Sequence, residues 1–403
     1  MADTQTITID ECIEKSLSNH PDLKRLSLTL QKSKSASDIA KADYLPQVTL
    51  GAQYNPTNTF VMPQNGQFNT IHDDNWLLDA VLNQKIYDFS KTTSLIDASK
   101  QDEKIASLSL EQAKALLVYN VKNLYDIALF QISSIDVRKK DLQAKEELYA
   151  QAKALVIEGI KTKADEASIL SALYAAIESL AVAEAEHERA LAILSLYTGE
   201  KIQDNTKLEQ RKVSYDMQEQ ESLRQSVASN NFELKAISEE IGKNALLYSA
   251  AKASNYGSID AVASLSHQNS LNEYDTSMVG IIAKFPLYSG GRLSAQSQQA
   301  HIATEAAKES YNAKRLALNE EIETLLIDIK RYEYTIKTKE AIIESSKAAK
   351  EITHARYKEG LSTYIEVLDA TTTHLYAELG LLEAKFNINK IQNRLAYLKG
   401  ENR

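Results

Sequence analysis

Residues 318 to 343 read Leu318-Asn-Glu-Glu-Ile322-Glu-Thr-Leu325-Leu-Ile-Asp-Ile329-Lys-Arg-Tyr332-Glu-Tyr-Thr-Ile336-Lys-Thr-Lys339-Glu-Ala-Ile-Ile343. The apolar positions Leu318, Ile322, Leu325, Ile329, Tyr332, Ile336 and Ile343 alternate spacings of four and three, and Lys339 is the one polar interruption. A period of 3.5 belongs to helices that supercoil left-handedly around their neighbours. Subtracting 201 lands on Leu117, Val121, Leu124, Ala128, Gln131, Ile135, Arg138 and Leu142, the same stripe with a base at the same interruption. No Gly or Pro lies between Gly66 and Gly159 or between Gly291 and Gly360, so helices over 92–156 and 293–357 run unbroken. Each would span about 98 Å at ~1.5 Å per residue.

The duplication extends over the whole chain. Leu194-Ser-Leu-Tyr-Thr-Gly-Glu200 answers Leu395-Ala-Tyr-Leu-Lys-Gly-Glu401, and Glu158-Gly159 answers Glu359-Gly360, both offset by 201. Nearer the start, Asn19-His-Pro-Asp-Leu-Lys24 answers Asn230-Asn-Phe-Glu-Leu-Lys235 at an offset of 211. The second copy therefore lacks ten residues in the stretch matching 55 to 80. The reading is a first repeat over 1–200, a polar linker over 201–217 and a second repeat over 218–403. Each repeat opens with a helix (9–43; 218–252) and continues into a β-hairpin (46–87; 256–288). The long helix follows, then a glycine-bearing tip (157–163; 358–363) and a return helix (164–198; 363–399). The strands are read from period-two alternation in Val48-Thr-Leu-Gly-Ala-Gln-Tyr54 and Ile259-Asp-Ala-Val-Ala-Ser-Leu-Ser266, and less cleanly in 76–85 and 277–285. The first hairpin is expected to carry a long loop over 55–74 and the second a short one over 268–274.

Composition agrees with long elements and excludes several functions. Gly and Pro make up about 4% of the 403 residues, against roughly 12% in ordinary soluble chains, so the chain turns seldom and reads as elongated. A formal charge of −9, with bases and acids interspersed, speaks against nucleic acid as a partner. No run reaches the ~18 uninterrupted apolar residues of a transmembrane helix. Met1-Ala-Asp-Thr-Gln-Thr lacks the regions of a signal peptide, so an exported protein would begin here at a mature or recombinant terminus. Cys12 alone makes no internal disulfide. The histidines at 20, 72, 187, 267, 301, 354 and 374 form no His-Glu-x-x-His pair, and no Gly-Lys-Ser/Thr follows Gly290-Gly291. The expectation is a protein that is not an enzyme, with no catalytic, cofactor or metal site.

Four strands cannot close a barrel, and an open sheet with an apolar outer face invites aggregation. Closure must come from several chains, two giving eight strands or three giving twelve. A soluble coiled-coil scaffold or membrane-remodelling protein would use the same heptads but leaves the duplicated strand alternation without a purpose. Trp76, Tyr54, Tyr274 and Phe285 fit interfacial aromatic positions.

Phe285-Pro-Leu-Tyr-Ser-Gly-Gly-Arg292, its degenerate counterpart Gln84-Lys-Ile-Tyr-Asp-Phe-Ser90, and Tyr357-Lys-Glu-Gly-Leu-Ser-Thr-Tyr-Ile-Glu-Val-Leu-Asp-Ala-Thr-Thr-Thr373 resemble the strand-to-helix junctions and second tip of the TolC family of outer-membrane efflux and secretion channels. The resemblance covers essentially the whole chain. It implies a mainly α fold with a β-barrel portion. Three chains would build an α-barrel of coiled-coil helices continuous with a 12-stranded outer-membrane β-barrel, four strands per chain. It further implies a location in the outer membrane reaching into the periplasm, and passive conduction of drugs, small molecules or proteins. The implied partners are a periplasmic adaptor, an inner-membrane transporter and outer-membrane lipid. Carried onto this sequence, the entrance constriction falls on Glu366 and Asp369, three apart on one helix face. The entrance-closing links fall on Asp165, Tyr357 and Ser362, with Ser362 standing where the family's pattern has an arginine. The adaptor-docking tips fall on Gly159, Ile160, Gly360 and Leu361.

Overall fold

The computed structural model describes residues 6–61, 69–203, 206–210, 220–270 and 272–401. The first repeat runs α1 (Ile9–Asn19), α2 (Pro21–Ala42), β2 (Gln47–Val61), β3 (Asn69–Tyr87), α3 (Lys91–Ile157) and α4 (Lys163–Thr198). The second runs α5 (Gln220–Asn230), α6 (Phe232–Ala253), β5 (Ser258–Ser270), β6 (Asn272–Lys284), α7 (Arg292–Lys358) and α8 (Tyr364–Leu398). Two short strands, β1 (Thr6–Ile7) and β4 (Lys207–Leu208), complete the set. Helices α3 and α7 are 67 residues each and begin and end 201 apart, as the heptads require. Their stripes are inside: Leu117, Val121, Ala128, Leu318, Ile322 and Ile329 are all buried.

Three boundaries differ from the sequence reading. Each opening helix is two helices, broken at His20 and at Asn231. Pro21 pushes the residue before it into extended backbone, and His20 has ψ 122°. The strands of the first hairpin extend well into the expected 55–74 loop, to Val61 and from Asn69; positions 62–68 lie outside the described residues. The expected polar linker contains β4, which pairs in parallel with β1, and Ile202 and Leu208 are buried; positions 204–205 and 211–219 lie outside the described residues. The β1–β4 pair is clamped by Tyr125, whose Oη lies 2.9 Å from the carbonyl oxygens of both Ile7 and Glu209. Burial pushes the Tyr125 phenol well above its usual range. Cys12 packs in the same core, and burial raises its thiol to about 11.

By contacts the chain forms two compact units, one of Met1–Arg25, Leu110–Phe232 and Arg315–Arg403, the other of Leu26–Ser109 and Glu233–Lys314. Each unit draws on both repeats. The second unit holds one antiparallel sheet in the order β2-β3-β5-β6, so the two hairpins are joined edge to edge through β3 and β5. Where strands hand over to the long helices, the second repeat turns on Gly290 and Gly291 (φ 61° and 81°). In the first repeat the positions 201 earlier are Phe89 and Ser90, held in the same left-handed region (φ 55° and 67°). That conformation costs non-glycine residues roughly 1–2 kcal/mol each.

Helix α4 alone among the described helices is long and apolar enough to cross a membrane, although no uninterrupted apolar run marks it. Its Ile169, Leu173, Ala176 and Ala183 are buried in the chain's own core, and Glu178 and Glu184 break its length.

Candidate functional site

Two places, one in each unit, are candidate functional sites. The first is the sheet. Register places Val48, Leu50, Ala52 and Tyr54 of β2 opposite Leu82, Ala80, Leu78 and Trp76 of β3. The same face continues through Ala263, Leu265 and His267 of β5 into Val279 and Ser277 of β6. The opposite face carries Thr49, Gln53, Asp79, Asn83, Lys85, Asp260, Ser264, Ser266, Thr276 and Lys284, with Leu77, Val81, Val262, Met278 and Ile282 as apolar members. Among the described residues nothing covers the apolar face: Leu50 is 75% exposed and Val279 88% exposed. In water, exposed patches of this kind mark an interface or a lipid-facing surface. Among the described residues, β2 and β6 each pair on one side only, so both edges present free backbone groups.

Aromatic residues bracket the band. At the hairpin end Trp76 sits beside Tyr54 in register and packs on His267 at 4.8 Å, whose ring reaches Asp275 (2.7 Å) and Glu273 (3.2 Å). At the helix end Tyr87, Phe89 and Tyr256 pack in series and Tyr288 is exposed, while Phe285, expected at this girdle, borders the cavity at the strand-to-helix junction. Tyr274 departs from the expected girdle, since its pairing with Gln268 puts it on the polar face. From Trp76 to Ile86 the strand rises about 33 Å, or ~25 Å of height at a ~40° tilt, the band of an outer-membrane barrel.

The second place is the pair of helical tips. Gly159 and Gly360 (φ 75° and 74°) reverse the chain, their left-handed backbone letting the amides of Ile160 and Leu361 bond to Leu155 and Arg356 carbonyls (2.9 and 2.8 Å). Thr162 and Thr363 then cap α4 and α8. Ile157, Ile160, Leu361 and Ile365 are exposed around the turns. The four predicted docking residues therefore stand at the tips.

Glu366 and Asp369 lie in the first turns of α8, both exposed. The Ser362 hydroxyl donates to the Glu366 carboxylate, and this bond holds the Glu366 carboxyl below its usual range. The predicted closing residues do not bond to one another within the chain. Ser362 is engaged with Glu366, while Asp165 accepts from the Thr162 amide (3.0 Å) in the cap of its own helix. Tyr357 is fully buried beside Leu148, Ala152, Ile169 and Val367, its hydroxyl without a hydrogen bond, and burial pushes its phenol up, with Asp165 adding to the shift.

The links between hairpins join residues that the sequence reading missed, Lys161, Ser168 and Tyr364, to one another or to the named Ser362 and Tyr357. Lys161 Nζ reaches the Ser362 carbonyl (3.4 Å) and stands 5.2 Å over the Tyr357 ring, and Tyr364 Oη donates to Ser168 (3.4 Å). Lys161 and Ser362 are themselves 201 apart, so the repeat offset that paired the glycines also pointed to this contact.

The family profile described as outer membrane efflux protein matches residues 12–200 and again 223–401. Outer membrane protein TolC of Vibrio cholerae is 22% identical over 392 residues, 94% of this chain and 87% of that protein. Probable outer membrane lipoprotein SilC of Salmonella typhimurium is 22% identical over 405 residues, 95% of this chain and 84% of that protein. The crystal structure of outer membrane protein VceC from Vibrio cholerae shares the fold, with a TM-score of 0.86 at 17% identity over 97% of this chain and 96% of that one.

Proposed function

The chain belongs to the outer membrane efflux protein family, whose profile it matches twice and over most of its length. On that premise we propose that it is the exit duct of a tripartite efflux pump or a type I secretion system. Three copies close a barrel of twelve strands in the outer membrane and carry the coiled-coil helices into the periplasm. Cargo passes through without chemical change, handed over by an inner-membrane transporter through a periplasmic adaptor.

The observation that carries this reading is the sheet. It has a bare apolar face, an opposite polar face and two unpaired edges. An isolated copy cannot satisfy those edge groups in lipid, where every backbone polar group must be bonded. Edge-to-edge closure of β6 of one copy on β2 of the next removes both edges and leaves the apolar face to the membrane.

At the opposite end of the reading, Glu366 and Asp369 form two rings of three acids that narrow the entrance and concentrate cations. Asp165, Tyr357 and Ser362 hold the closed entrance as links between the two hairpins, supported by the burial of Tyr357 of the second hairpin against Leu148, Ala152 and Ile169 of the first. The exposed apolar residues beside Gly159 and Gly360, namely Ile160 and Leu361, dock the adaptor.

The test is mass by light scattering in detergent, followed by planar-bilayer conductance of the same preparation with and without trivalent cations. A conducting trimer blocked by those cations is expected. A monodisperse species independent of detergent and silent at every voltage would reject the duct.

A further inference from the structure

We propose that the mouth where the strands pass into the long helices is an anion-binding collar that takes multivalent amphipathic anions, such as aromatic sulfonates and polycarboxylates, from the duct. The inference rests on the duct reading and names a class of cargo for it.

A cavity of about 1040 Å³ opens at this junction, ample for a drug-sized ligand. Its charged lining is Lys85, Lys91, Lys284 and Arg292 against Asp88 and Asp260, four bases to two acids. Each acid holds a donor within the chain, although the buried Asp88 Oδ1 is left without one. Asp88 is 2% exposed and accepts the Thr92 amide (2.9 Å) and hydroxyl, and Asp260 accepts the Ser258 hydroxyl (2.8 Å). Lys85 leans on the same Asp88–Thr92 pair, 3.1 Å from Thr92 Oγ1. Lys91, Lys284 and Arg292 differ: among the described residues no acid stands within ion-pair distance of them, though all three line one space.

Position assigns the cavity to the duct and not to lipid. Lys85, Asp260 and Lys284 belong to the polar face of the sheet by register, the face turned away from the membrane. A lipid headgroup would meet the other face.

Lys91 and Arg292 are the first residues of α3 and α7, whose amino ends add partial positive charge. Helices α1, α2, α4, α5, α6 and α8 each carry an acid in the first turn, whereas α3 and α7 carry none. Both repeats thus put a base where the helix field disfavours it, offset at α3 by the Asp88 carboxylate on the Thr92 amide. Of the two strand bases, Lys85 pairs with Asp88 while Lys284 has no acid at ion-pair distance among the described residues. Phe285 also lines the cavity, giving a flat apolar wall for an aromatic anion. Threefold closure would multiply the collar to a ring of opposite sign to the acidic entrance.

The experiment titrates the detergent-solubilised trimer with pyrene tetrasulfonate and follows its fluorescence at ~0.1 M salt, where long-range surface charge is largely screened. Saturable binding is expected in the wild type, weakened about tenfold or more in a Lys284→Gln/Arg292→Gln variant, since hydrogen bonds to charged groups are worth that factor. Trimer mass and circular dichroism establish that the variant is folded. Lys330→Gln, which removes an exposed base of α7 away from the cavity, is expected to bind as the wild type. Equal affinity in wild type and double variant, or an equal loss in Lys330→Gln, overturns the collar. Bilayer conductance of the wild type separates the two readings. A preparation that conducts and ignores the sulfonate removes the collar alone, whereas one that never conducts removes the duct and the collar with it.

Discussion

Exchanging serine and glycine between the two strand-to-helix junctions tests whether the duplication is conserved in backbone as well as in pattern. Ser90 and Gly291 occupy corresponding positions at φ 67° and 81°, so one repeat bears a steric cost that the other avoids. Left-handed backbone costs an L-residue about 1–2 kcal/mol, and the extra freedom of glycine in the unfolded chain returns about 0.4–1 kcal/mol of that. Ser90→Gly should therefore stabilise by ~1 kcal/mol. Gly291→Ser should destabilise by about the same amount, because a Cβ there meets no atom within 4 Å and only the backbone term remains. Unfolding entropy near 2.1 cal/mol/K per residue gives ~0.85 kcal/mol/K for a chain of 403 residues. The two variants should thus separate by roughly 2–3 °C in thermal unfolding followed by circular dichroism. Ser90 is the better probe than Phe89, whose ring packs on Tyr87 and Tyr256 and would be lost with the strain. A Ser90→Gly protein that melts lower than wild type would refute the reasoning.

Other outcomes follow from the same geometry. Tyr125→Phe strips the hydroxyl that serves the Ile7 and Glu209 carbonyls and should cost about 1–3 kcal/mol, read as a lower urea midpoint with an unchanged slope. Val279→Lys puts a charge on the bare apolar face and should weaken refolding into bilayers by about 2–4 kcal/mol at mid-membrane depth, while Thr276→Lys on the polar face leaves it near wild type. Ser362→Ala removes the first cause of the depressed Glu366 carboxyl. A depressed folded value keeps wild-type Glu366 charged as pH falls below the ordinary carboxylate range, so its block by trivalent cations should persist to lower pH than in the variant. Coincident pH profiles would show that Glu366 does not contribute to the block.

Much of the architecture is local and so is visible in the chain itself. The heptads decide α3 and α7, because a 3.5-residue stripe needs only its own helix to exist. The 201 offset then fixes the tips at Gly159 and Gly360 and places Glu366 and Asp369 beside one of them. The break at His20-Pro21 is local too, since proline restricts its neighbour whatever the fold, although the sequence reading ran one helix through it over 9–43. The β1–β4 pair was not, because two residues carry no periodicity and become a strand only when a partner 201 positions away is brought alongside.

What needed the tertiary structure is whatever depends on groups distant in sequence. Alternation shows that a strand has two faces, but only the β3–β5 pairing joins the hairpins into one sheet, aligns their apolar faces and turns Tyr274 to the polar side. The family resemblance named Tyr357, Asp165 and Ser362, yet their partners are set by packing: Ser362 finds Glu366, Asp165 its own cap, and Lys161 crosses between the hairpins to the Ser362 carbonyl. The sequence by itself determined the repeat, the long helices, the hairpins and their order, because those follow from backbone preference and side-chain spacing within each segment. The tertiary structure alone decided register, the left-handed Phe89–Ser90 turn and the convergence of Lys91, Lys284 and Arg292 on one cavity, because long-range contacts outweigh the local preferences that a single stretch of chain expresses.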